Sequence, residues 1–91
     1  MDLSISKLVL LDQECGGSSK FSSKLFMTNG FLNEFGPVAA ALALAALMRV
    51  IKERVNSSIG ADYLQVFEFN GLRFWLIDNE TYITALLPEE Y

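Results

Sequence analysis

Two alternating apolar runs, Tyr63–Phe69 and Leu72–Asp78, are separated by Asn70-Gly71 alone. Asn-Gly accepts the positive φ angles of a two-residue hairpin turn, whose twist matches that of the flanking strands. A loop this short fixes the register. Phe69 then stands opposite Leu72, Glu68 opposite Arg73, Phe67 opposite Phe74, Val66 opposite Trp75 and Leu64 opposite Ile77. Opposite charges at Glu68 and Arg73 support the same pairing and contribute roughly 0.2–1 kcal/mol. Asp78-Asn79-Glu80-Thr81 reads as the next turn. It leads into a third strand, Tyr82–Leu87, stopped by Pro88. In the expected register Ile77 faces Tyr82, Trp75 faces Thr84 and Phe74 faces Ala85.

Side chains alternate across a strand, so these pairings divide the meander into two faces. Phe67, Phe69, Leu72, Phe74, Leu76, Ile83, Ala85 and Leu87 share one, with Gln65 its only internal polar member. The other carries Leu64, Val66, Glu68, Arg73, Trp75, Ile77, Tyr82, Thr84 and Leu86. The first must take a helix. The second is open to solvent, covered by the N-terminal segment, or held by a partner, because one helix cannot cover both sides of a sheet. Tyr63 at the sheet end and Tyr91 at the C-terminus belong to neither face by this parity.

The covering helix is predicted over residues 37–56. Pro37 suits a first helical turn, and six alanines between Ala39 and Ala46 favour helix. Leu44, Leu47, Met48, Ile51 and Val55 form one apolar stripe, with Val38 and Leu42 widening it sideways. Arg49, Lys52, Glu53 and Asn56 lie opposite. Upstream, Leu3–Leu11 reads as a strand that becomes continuously apolar, as one covered on both faces would. Residues 13–23, rich in Gly and Ser, read as a mobile connector. Lys24–Thr28 reads as a short strand ended by a turn at Asn29-Gly30, with Asn33 or Glu34 capping a short turn before the main helix. The fold class is α+β: a single domain with one long Ala-rich helix packed on a mostly antiparallel sheet that ends in a three-strand meander.

Ninety-one residues hold one domain. Apolar residues at 52% are too many for a disordered chain. The formal charge is −4, and no basic patch able to neutralise phosphates is visible, so nucleic acid is not an expected partner. After Arg73 come Asp78, Glu80, Glu89 and Glu90 with no further Lys or Arg, an acidic ending that suits a basic partner. The apolar run Val38–Met48 is far short of the ~20 residues a membrane helix needs. An acid, Asp2, stands where a secretory leader has its basic region. One cysteine permits no internal disulfide, and a reducing cytoplasm is the expected setting.

Catalytic chemistry is scarce. Histidine is absent, which removes Ser-His and Cys-His pairs and the usual zinc sites. Cys15 sits beside Asp12 and Glu14, which oppose a thiolate. Asp78 with Glu80 reads as turn chemistry, and Glu89-Glu90 as a solvated end. No enzymatic activity, metal or cofactor is expected.

Three stretches resemble a known family. Phe26-Met27-Thr28-Asn29-Gly30, Asp62-Tyr63-Leu64-Gln65-Val66-Phe67 and Ile77-Asp78-Asn79, leading to Leu86-Leu87-Pro88-Glu89-Glu90-Tyr91, follow one another in the order F-x-T-R-G, D-Y-L-Q-x-F, I-D-D-G and L-L-x-E-E-Y. That order is similar to the small bacterial and phage proteins grouped as domain of unknown function 960. Asn29 stands where the family has Arg, and Asn70-Gly71 replaces a longer polar insertion. Residues 1–23 have no counterpart. The resemblance implies a fold and a bacterial or phage setting, and it supplies no activity.

The sequence therefore points to a small acidic interaction module that meets a protein through its mixed face. Trp75, Tyr82 and Arg73, with Glu68, Thr84 and Tyr63, are the candidate contact residues, since Trp, Tyr and Arg dominate interface energetics. A homodimer through the same face or an unprotected edge strand is the alternative. A small-ligand binder or enzyme using the helix–sheet crevice ranks third.

Overall fold

The computed structural model describes residues 8–13, 15–69 and 71–91. The first part of the expected N-terminal strand, residues 3–7, lies outside them, as do Glu14 and Asn70. The fold is α+β, with β1 (Leu8–Leu10), β2 (Lys24–Met27), α1 (Asn29–Phe35), α2 (Pro37–Val55), β3 (Leu64–Phe69), β4 (Leu72–Asp78) and β5 (Tyr82–Leu86). A short 3-10 turn, Pro88–Glu90, follows. The strands form one five-stranded sheet in the order β1-β3-β4-β5-β2. All neighbours are antiparallel except β2, which runs parallel to β5.

The β3–β4 register is the one Asn70-Gly71 predicts, from Leu64 opposite Ile77 to Phe69 opposite Leu72. The β4–β5 register is displaced by two residues: Trp75 faces Leu86 and Ile77 faces Thr84. The cause is Asn79. Its Oδ1 accepts the N–H groups of Thr81 (3.1 Å) and Tyr82 (2.8 Å), while its own N–H donates to the Tyr82 carbonyl at 3.1 Å. The turn therefore closes around Glu80 and Thr81, with Glu80 at φ 78°. A two-residue shift preserves parity, so each side chain stays on its predicted face.

The inner face is sealed by both helices. Phe67, Phe74, Leu76 and Gln65 are fully buried. Leu72, expected among them, is 46% exposed, because it lies at the hairpin end. Leu44, Leu47 and Ile51 are buried on the underside of α2, and Arg49, Lys52 and Glu53 are exposed. Val38 and Leu42, at the flank of the stripe, are exposed as well.

The segment expected to be a turn at Asn29-Gly30 is the start of α1. Thr28 is its N-cap, with Oγ1 accepting the Phe31 N–H at 3.2 Å. Asn33 and Glu34 lie within this helix and cap nothing. Phe31 and Phe35 point onto the sheet, their ring centroids 5.2 and 4.2 Å from Phe74. Gly36, at φ 80°, ends α1 and lets α2 depart in a new direction.

The Gly/Ser-rich segment is a belt along the sheet end, not a free connector. Leu11 N donates to Val66 O (2.9 Å), Gly17 N to Ile59 O (3.1 Å) and Ser19 N to Ala61 O (3.1 Å). A Cβ on Gly60 would lie 2.0 Å from the Gly17 carbonyl oxygen, so the close approach requires glycine there. Phe21 is buried in the core. Gln65 is satisfied from both sides: Arg54 Nη1 donates to its Oε1 at 2.6 Å, and its Nε2 donates to Gln13 Oε1 at 2.8 Å. Arg54 also donates to Leu11 O at 2.8 Å, which fastens α2 to the belt.

Candidate functional site

Alternation along the five strands builds a second, outer face without a helix on it. Register places Leu64, Ile77, Thr84 and Phe26 in one row across the sheet, and Val66, Trp75 and Leu86 in the next. These two rows hold no charged group. Val9, Glu68 and Arg73 form the row beyond one side, and Tyr82 with Lys24 lies beyond the other. The result is an apolar band with charges at its ends, the layout of a recognition patch with a polar rim.

Burial is partial across the band. Trp75, Leu64, Val66, Ile77 and Thr84 are half-buried, while Phe26 is 54%, Val9 49% and Tyr82 42% exposed. Only Leu86 is buried. The Phe26 and Tyr82 rings meet edge-on at 5.7 Å, and Tyr91 meets Trp75 edge-on at 5.5 Å. Arg73 Nε donates to Glu68 Oε1 at 3.1 Å in an exposed pair. Such a pair adds little stability by itself.

Five of the six residues expected to act together do share this face: Trp75, Tyr82, Thr84, Arg73 and Glu68. Tyr63 does not. It precedes β3 on the opposite parity, its carbonyl accepts the Asp78 N–H at 2.9 Å, and its ring lines a cleft at the sheet end. Nor does β1, the described part of the expected N-terminal strand, lie over Trp75. It pairs side by side with β3, puts Val9 on the outer face and is an edge of the sheet among the described residues. Phe26, Val9 and Tyr91 are members of the face that local pattern does not reveal. The first two arrive through pairings with strands distant in sequence.

Two carboxylates hold the borders of the site. Asp78 is buried and accepts from Ser19 Oγ, from Phe21 N at 3.1 Å and from Glu80 N at 2.9 Å. Burial pushes its pKa up, but these three donors together outweigh it and hold the carboxyl below its ordinary value. Glu90, expected to be a solvated end, is engaged. It accepts from Thr28 Oγ1 (2.6 Å), Leu87 N (2.9 Å) and Gly30 N (3.3 Å). The Thr28 bond foremost lowers its pKa. This carboxylate tethers the C-terminal turn to α1 and so sets Tyr91 against Trp75. Among the described residues no single helix is long and apolar enough to cross a membrane. Compared with family models, with curated proteins and with solved structures, the chain matches none of them.

Proposed function

We propose that this chain is a small cytoplasmic protein-interaction module whose outer sheet face docks a protein partner. The observation that carries the reading is the pair of uncharged rows crossing the sheet with no covering element among the described residues. Contiguous exposed apolar surface of this kind marks an interaction site, whereas scattered exposed apolar residues do not. Trp75, Tyr82 and Phe26 supply the anchors, and Arg73, Glu68 and Lys24 the rim.

Size separates a partner from a permanent self-assembly. Five strands averaging about 17 Å in length at about 4.8 Å spacing give roughly 400 Å² in plan, the size of weak, transient interfaces. Obligate dimers bury far more, so a transient partner is favoured over a second copy. The formal charge of −4 and the acids after Arg73 favour a basic one. The resemblance of the D-Y-L-Q-x-F and L-L-x-E-E-Y stretches to bacterial and phage proteins suggests a modulator or inhibitor of a host system as the role.

The test places a photo-crosslinking residue at position 84 on the face and, as control, at position 49 on the solvent side of α2. Capture of one basic protein from 84 and not from 49, weakened by Trp75→Ala in a folded variant, is the expected result. Trp75 is the only tryptophan, so its emission reports the face directly. Emission already fully blue-shifted in dilute monomer and unmoved by the captured protein would overturn the proposal. Concentration-dependent sedimentation with the same blue shift would assign the face to a second copy.

A further inference from the structure

We propose that the cleft between the belt and the end of the sheet binds a neutral saccharide of one or two rings. This site is separate from the outer face and does not depend on the reading of it. The cleft has a volume of about 460 Å³, within the usual range for small-ligand sites. Its walls are unusual. Such sites are mostly apolar, whereas the residues lining this one include Ser18, Ser22, Lys20, Asp62 and Glu80. A ligand matched to a lining of hydroxyl-, ammonium- and carboxylate-bearing residues is itself rich in hydroxyl groups.

Charge narrows the class. A phosphate or carboxylate would meet Asp62 and Glu80 in the lining, and an organic cation would meet Lys20. A neutral polyol meets neither repulsion and can hydrogen-bond to all three. Tyr63 supplies the remaining element. Tyr63 lines the cleft and is 54% exposed. An aromatic face beside carboxylates and hydroxyls is a surface on which the C–H side of a pyranose can rest while its hydroxyls reach the polar wall.

The walls are fixed before any ligand arrives. Asp78 holds the belt through Ser19 and Phe21, and Ser23 Oγ donates to Glu80 O at 2.8 Å. Of the two described non-glycine residues with positive φ, Glu80 (φ 78°) lines the cleft, and Phe21 (φ 46°) lies in the core between the lining residues Lys20 and Ser22. Residues held in such conformations collect at binding sites, where the surrounding structure enforces them.

The experiment titrates the isotopically labelled full chain with maltose, cellobiose, lactose and chitobiose, and separately with inorganic phosphate and tetramethylammonium, following backbone amide shifts. Saturable shifts of residues 18–23 and Tyr63 with at least one sugar are expected. Tyr63→Ala should weaken that binding at least tenfold, and Tyr63→Phe, which keeps the ring, should retain it. Unchanged Trp75 emission checks that both variants fold. Shifts at these amides with phosphate or tetramethylammonium alone would overturn the saccharide assignment. The absence of any saturable shift there up to about 50 mM sugar, well past the millimolar range of weak one-site ligands, would overturn the site.

Discussion

The two faces of this sheet are made by the same strands and have opposite fates. On the inner side Phe67, Phe74 and Leu76 are wholly buried; on the outer side Phe26 and Tyr82 remain 54% and 42% exposed. Residue type does not explain the difference, since both faces are rich in large rings. The covering elements do. Two helices close the inner face, and among the described residues none closes the outer one. Fully burying a large apolar side chain stabilises by about 1.5–3 kcal/mol, so the fold depends on the inner rings far more than on the outer ones.

The sharpest way to break this comparison is to truncate one ring on each side. Phe74→Ala removes a side chain at 0% exposure with Phe31, Phe35 and Phe67 around it. A loss of about 3–5 kcal/mol is expected in denaturant unfolding, a large share of a small domain's stability. Trp75→Ala, its neighbour on the other side, should cost only about 1 kcal/mol and leave a cooperative transition. Equal losses at the two positions would mean that the outer face is core after all.

Asp78 ranks between them. Asp78→Ala leaves the Ser19 hydroxyl and the Phe21 and Glu80 N–H groups without their acceptor, at a cost of about 1–3 kcal/mol. Its lowered folded-state pKa also sets a sign. The stabilisation is complete above the unfolded value of about 4 and is lost as pH falls through the lowered folded value. Wild-type stability should therefore fall with acidification in that window, and Asp78→Asn should flatten the slope. A smaller effect is expected at Glu90, whose pKa is lowered too. Glu90→Gln weakens the tether that sets Tyr91 on Trp75 and should shift the Trp75 emission to the red with no measurable change in unfolding midpoint.

Much of the fold was legible in the sequence, and the gaps have specific causes. Asn70-Gly71 and the Glu68–Arg73 pair gave the β3–β4 register to the residue, because a two-residue loop leaves no other choice. The β4–β5 register slipped by two, since nothing in a list of residues shows that the Asn79 side chain takes over the turn hydrogen bonds. Asn29-Gly30 read as a turn because Gly suggests one, although Thr28 followed by apolar Phe31, Leu32 and Phe35 also fits a capped helix. The belt looked mobile by composition. Its order comes from Asp78, Gly60 and Ala61, partners that only the folded chain brings near. The candidate contact residues within the meander share the face that parity gives them. Tyr63, which parity assigns to neither face and which is a candidate by residue type alone, lies instead at the sheet end.

The strand order has a consequence for how the molecule comes together. β3, β4 and β5 follow one another along the chain and can zip up from local turns. Both outer strands precede the meander in sequence, and β2 pairs with β5, the last strand of this sheet in chain order. During synthesis β2 therefore emerges with no partner and waits until nearly all of this stretch has left the ribosome. Its pairing, like that of β1 with β3 across a similar sequence distance, is a slow, long-range step. Until then the edge of β5 and the ring of Phe26 are both bare, a window in which a chaperone, or a neighbouring nascent chain, competes for the same backbone.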